Sequence, residues 1–147
     1  MFDIVTLEPD DAVVAKAIDT IIKVANHTVN APSDGYRYIA GNTVTVEGDG
    51  GSQSNVLVIV GHAGADSLSS KKTWKSYMQA VTAAVDPDWR VGKKSVFLVA
   101  CSTAGEGTKF GYGNMATEIK EWFSTATVWA ASDPVSAKDL SATWHKL

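Results

Sequence analysis

Two runs of the chain are apolar at every position, Val56-Leu57-Val58-Ile59-Val60 and Val96-Phe97-Leu98-Val99-Ala100. Neither alternates polar with apolar residues, so each is predicted to be a strand buried on both faces, as in a parallel sheet. Each run gives way to one chemically capable side chain: His62 after Gly61, and Cys101 directly after Ala100. Between them Trp74, Tyr77, Met78, Val81 and Val85 recur at helical spacing, which predicts a helix near 70–85 capped by Ser69 or Ser70. Strand, helix and strand form a β-α-β unit, whose crossover is right-handed. If the two strands pair, their carboxyl ends emerge about 4.8 Å apart. His62 and Cys101 then share the edge at which open α/β sheets place their ligands.

The remaining pattern fills in one α/β domain over residues 1–147. Phe2–Leu7 is expected as a first strand, and Glu8-Pro9-Asp10-Asp11 puts proline and acids where a helix begins. Val14, Ile18, Ile21 and Ala25 recur at helical spacing and predict a helix over about 10–26 with one stripe on the sheet. Tyr36–Ala40 and Thr43–Glu47 read as a hairpin joined by Gly41-Asn42, and Gly48–Ser54 as a surface loop without the Gly-Lys-Ser/Thr ending of a phosphate cradle. Met115, Ile119, Trp122 and Phe123 mark a helix, and Thr127–Ala131 a strand. Ala137, Leu140, Trp144 and Leu147 have helical spacing and predict a last helix. The expected architecture is a three-layer domain, a mostly parallel central sheet flanked by helices, with an added β-hairpin.

Composition narrows the function classes. The chain is 45% apolar and 20% charged with a net charge of −3, which gives no electrostatic reason to expect nucleic acid or an anionic membrane. No run approaches eighteen apolar residues, and Met1–Glu8 lacks the basic region and apolar core of a signal peptide, so a cytoplasmic location is expected. The single cysteine has no intrachain partner. Three scattered histidines and one cysteine show no metal-ligand spacing, so neither a metal nor another cofactor is expected.

A thiol becomes a strong nucleophile only as the thiolate, and an adjacent imidazole can take its proton. Acyl transfer also needs donors aimed at the developing oxyanion. The Cys101 N–H, in a turn after a strand, and the N–H of Gly64, which has no side chain to obstruct a carbonyl, are candidates for that hole. His62 is the candidate base and Cys101 the candidate nucleophile. His27 and His145 fall in less suggestive places.

A buried strand ending in His then Gly, a crossover helix, and a buried strand ending in Ala-Cys together resemble the caspase–haemoglobinase fold. That group includes caspases, legumain, gingipains, clostripain and the self-cleaving cysteine protease domains of bacterial toxins. The resemblance covers about residues 56 to 135. It implies a cysteine endopeptidase with Cys101 as nucleophile, His62 as general base, the Gly64 and Cys101 N–H groups as oxyanion hole, and a peptide or protein as substrate. Many members have His directly followed by Gly, whereas Ala63 intervenes here. In that group the segment here spanning Val128–Val135 helps form the pocket for the residue before the scissile bond, which makes Ser132 and Asp133 candidate substrate-binding residues. An Asp133 facing that pocket favours a basic residue; an exposed turn aspartate is the structural reading.

Two other readings stay open on the residues alone. Ser102, Asp133 and His145 follow the chain order of an α/β-hydrolase triad, although alanines replace both glycines of the nucleophile elbow. An α/β domain of this kind also serves as a non-catalytic peptide- or nucleotide-binding or assembly module, because a fold does not dictate a chemistry.

Overall fold

Both apolar runs are strands, and they lie side by side. The computed structural model describes residues 2–28, 36–40, 43–47, 55–62, 76, 92–100 and 114–147. In chain order these contain β1 (Phe2–Thr6), α1 (Ala12–Thr28), β2 (Tyr36–Ala40), β3 (Thr43–Glu47), β4 (Val56–Val60), β5 (Ser95–Val99), α2 (Asn114–Trp122), β6 (Thr127–Ala131) and β7 (Trp144–Lys146). They form one seven-stranded sheet in the order β3-β2-β1-β4-β5-β6-β7. The five central strands are parallel, and β3 and β7 close the two edges antiparallel. The class is α/β, with the predicted hairpin of β2 and β3 as the added edge.

Burial on both faces explains the uninterrupted apolar runs. Along β4, Leu57 and Ile59 pack with Val5, Val96, Leu98, Ile119, Phe123 and Val128 on one face of the sheet. Val58 and Val60 pack with Ile4, Val14, Ile18, Ile21 and Val99 on the other. The first face is covered by α2 and the second by α1, so helices flank the sheet on both sides. Each fully buried Val, Leu or Ile contributes about 1.5–3 kcal/mol.

α1 begins where the acids stand. Asp11 Oδ1 accepts the backbone N–H of Val13 at 2.9 Å and of Val14 at 3.0 Å, satisfying two of the orphan donors of the first turn. The predicted stripe of Val14, Ile18 and Ile21 is buried. In α2, Ile119 is fully buried and Phe123, just beyond its end, nearly so; Trp122 is instead 47% exposed, on the outer side. The Lys120 ammonium donates to the carbonyls of Ser124 and Ala126 and closes the chain end of α2.

One ion pair is buried at the amino end of the sheet. Asp3 of β1 is 0% exposed and Lys93, two residues before β5, is 5% exposed. Lys93 Nζ donates to Asp3 Oδ2 at 2.8 Å.

The chain end corrects the reading of a last helix. Ala137–Asp139 form only a turn, with Leu140 N–H bonded to the Ser136 carbonyl at 2.7 Å and Ser136 N–H to the Ser141 carbonyl at 3.1 Å. Leu140 then enters the left-handed region at φ 59°, which ends any helical progression. Trp144–Lys146 extend instead as β7, paired with Ala131, Ala130 and Trp129 of β6. Trp144 packs on the α1 face and Leu147 on the α2 face, so the three-four-three spacing arose from a turn followed by strand alternation. Ser76 is helical; the rest of the helix expected near 70–85, the loop over 48–54 and the loop after Cys101 lie outside the described residues.

Candidate functional site

The site is built at the carboxyl edge of the parallel strands. β4 and β5 pair in register from Val56↔Ser95 to Val60↔Val99, and the Gly61 N–H extends the ladder by bonding to the Val99 carbonyl at 3.3 Å. Gly61 is buried and His62 emerges exposed, two residues past Val60. Ala100, buried, directly follows β5, one residue past that ladder's last pair, and Cys101 is the next residue in the chain. Cys101, Gly64 and Ser102 lie outside the described residues. The structure therefore brings together the strands that carry the predicted base and nucleophile, and gives His62 its surroundings.

Those surroundings come from the turn between β1 and α1. β1 pairs with β4 in parallel, from Phe2↔Val56 to Val5↔Ile59, so the residues after β1 lie beside those after β4. Thr6 Oγ1 accepts the Glu8 N–H at 3.0 Å, and Glu8 Oε2 accepts the His62 backbone N–H at 3.0 Å. Asp11 Oδ2 stands 3.0 Å from His62 Nε2, with the imidazole side chain 52% and the carboxylate side chain 36% exposed. The Asp11 carboxyl is held below its ordinary value of 3.8, first by the Val14 N–H and then by the His62 hydrogen bond. Neither Glu8 nor Asp11 was singled out from the sequence except as an acid at a helix start.

The next strand along the edge is β6, which pairs with β5 and ends in the candidate substrate-binding residues. Ser132 is 8% exposed; its N–H bonds to the Thr143 carbonyl at 3.1 Å and its Oγ lies 2.8 Å from His145 Nε2. Asp133 Oδ1 accepts the Thr143 N–H at 2.8 Å and Oδ2 the Thr143 hydroxyl at 2.7 Å. Those two donors, the N–H first, hold the Asp133 carboxyl below 3.8. Both oxygens thus brace the turn into β7. In the triad alternative, His145 Nε2 is engaged by the Ser132 hydroxyl, and the charge of His145 contributes only a minor lowering of Asp133.

Among the described residues no group of three or more His, Cys, Asp or Glu side chains is arranged to hold a metal ion, and no helix is long and apolar enough to cross a membrane. No family model, curated protein or solved structure matches the chain. The functional reading therefore rests on the residues and their placement alone.

Proposed function

We propose that the chain is a cysteine endopeptidase of the caspase–haemoglobinase type, cleaving a peptide bond through an acyl-enzyme on Cys101. The observation that supports it is the parallel, in-register pairing of β4 and β5 up to Val60↔Val99, with His62 leaving one strand end and Cys101 following the other. Strand neighbours stand about 4.8 Å apart, within which an imidazole and a thiol can share a proton.

The reaction takes a simple course. The His62 imidazole accepts the Cys101 thiol proton, and the thiolate attacks the scissile carbonyl carbon. The N–H groups of Gly64 and Cys101 stabilise the resulting oxyanion. Collapse of the tetrahedral species breaks the C–N bond, and the imidazolium gives its proton to the departing amine. Water, deprotonated by His62, then attacks the thioester and releases the carboxylic product and the free thiol. The substrate residue before the cleaved bond lies toward the β6 end, beside Ser132 and Asp133.

Because the chain has one cysteine, alkylation reports on it alone. A thiol with a pKa of about 8.5 is about 0.3% thiolate at pH 6. Drawing the pKa to about 6 raises that fraction about 150-fold, while the weaker nucleophilicity of the more acidic thiolate takes back about 13-fold. Iodoacetamide should therefore modify the wild type at pH 6 about tenfold faster than an ordinary thiol, and His62→Ala should abolish the difference. Ordinary, equal rates in both proteins would sink the proposal. Cleavage of an unfolded protein mixture, read by mass spectrometry and absent in Cys101→Ala, completes the test.

A further inference from the structure

We infer that Asp11 is the positioning residue of this site: it holds the His62 imidazole in the Nε2–H tautomer and leaves Nδ1 as the nitrogen that exchanges a proton with the thiol. The identity of that thiol as Cys101 rests on the cysteine-peptidase reading; the hold on His62 does not.

An ionised carboxylate only accepts hydrogen bonds, so the imidazole nitrogen 3.0 Å from Asp11 Oδ2 must carry the hydrogen. Neutral imidazole has one N–H, and the proton acceptor is then Nδ1, which makes no hydrogen bond among the described residues. The carboxylate is fixed before it meets the ring. Its Oδ1 caps α1 through Val13 and Val14, its main-chain N–H bonds to the Glu8 carbonyl at 3.2 Å, and its carbonyl accepts the Ala15 N–H at 2.9 Å. Only Oδ2 remains, and it faces the ring. The ring's backbone is fixed by the same turn, through Glu8 Oε2 and the His62 N–H. The β1–α1 turn therefore grips His62 at two points, and the pairing of β1 with β4 sets the distance between them.

A surface ion pair between two such exposed groups adds little to stability. The tautomer is the property that distinguishes a positioning carboxylate from an incidental neighbour. Asparagine caps a helix as well as aspartate does, so Asp11→Asn retains α1. With its Oδ1 kept on the Val13 and Val14 N–H groups, the amide turns donors toward the imidazole. His62 is then driven to the Nδ1–H form. Asp11→Ser keeps the cap without reaching the ring and serves as the second variant.

The experiment is nitrogen NMR of the full chain labelled at histidine, with the His62 signal assigned by its loss in His62→Gln, beside iodoacetamide kinetics at pH 6. The expected result is an Nε2–H wild type, a predominantly Nδ1–H Asp11→Asn, and alkylation slowed severalfold in Asp11→Asn, up to the about tenfold lost in His62→Ala. Asp11→Ser should fall between. A buried triad carboxylate exchanged for its amide loses about 10⁴-fold in turnover, whereas alkylation at pH 6 can lose only the about tenfold advantage that His62 supplies. An unchanged Nε2–H proportion in Asp11→Asn overturns the inference, whatever Cys101 does. A changed tautomer with alkylation equal in wild type, Asp11→Asn and His62→Ala supports the hold of Asp11 on His62 and overturns the peptidase reading.

Discussion

Replacing Lys93 by methionine tests the buried ion pair between Lys93 and Asp3. The ammonium and the Asp3 carboxylate are both almost fully buried and 2.8 Å apart, at the amino ends of β1 and β5. Methionine keeps most of the stem and removes the charge, so packing changes little. The buried Asp3 carboxylate then loses the Lys93 ammonium, which costs about 3–5 kcal/mol for a broken buried pair. For a domain of this size each kcal/mol is worth about 2–4 °C, so Tm should fall by about 6–20 °C. Replacing both partners, as Asp3→Leu with Lys93→Met, should recover most of that loss, because two uncharged side chains carry no desolvation cost. Urea unfolding followed by tryptophan fluorescence measures all three variants. A Lys93→Met protein within about 1 kcal/mol of the wild type would refute the reasoning, since a carboxylate at 0% exposure is expected to lose more than that with the ammonium 2.8 Å away. Lys93 also precedes Ala100 by seven residues, about 23 Å along an extended strand, so Cys101 alkylation below the unfolding transition should not change.

Two further outcomes follow from the packing and the turns. Ile119→Ala, at a fully buried position of α2, should cost about 2–5 kcal/mol in the same urea assay, whereas Trp122→Ala, on the exposed side of that helix, should cost clearly less; equal losses would mean that α2 presents another face to the sheet. The Asp133 carboxyl is lowered by the Thr143 donors, so its contribution is fully present above its unfolded value near 3.8 and is lost as pH falls through the lower folded value. Asp133→Asn should therefore flatten the acid limb of Tm against pH below about pH 4, and an unaltered limb would show that Thr143 does not discriminate between the two protonation states.

The strands were legible where burial alone decides the residue. Val56–Val60 and Ser95–Val99 are covered on both faces, so nearly every position had to be apolar, and the runs stand out without any partner being known. The hairpin of Tyr36–Ala40 and Thr43–Glu47 was legible for a different reason, because in the sequence Gly41-Asn42 is a two-residue turn signal between two β-rich segments, and such a signal favours their antiparallel pairing. β7 was not legible. It has three residues, its pairing is supplied by β6, and its Trp144 and the following Leu147, on opposite faces, come after a turn whose Ala137 and Leu140 complete a false helical period. Trp122 misled more mildly, since a helical stripe of four large residues reads as one face although Trp122 lies outside it.

The site divides along the same line. His62 and Cys101 were found because each interrupts an apolar run, a signal contained within a few residues. Asp11 gave no such signal, since an aspartate beside a proline at a helix start is fully accounted for by capping, and Asp11 does cap α1. Its second use depends on β1 pairing with β4 on the side away from β2, which brings residues 54 positions apart, Glu8 and His62, into hydrogen-bond contact. A residue whose local role already explains it conceals a tertiary one. The carboxylate suits that tertiary role because of the local one: the helix end has fixed its first oxygen and thereby aimed the second. Capping and positioning are then separable only by a substitution that retains the first and reverses the second, which is what asparagine does at position 11.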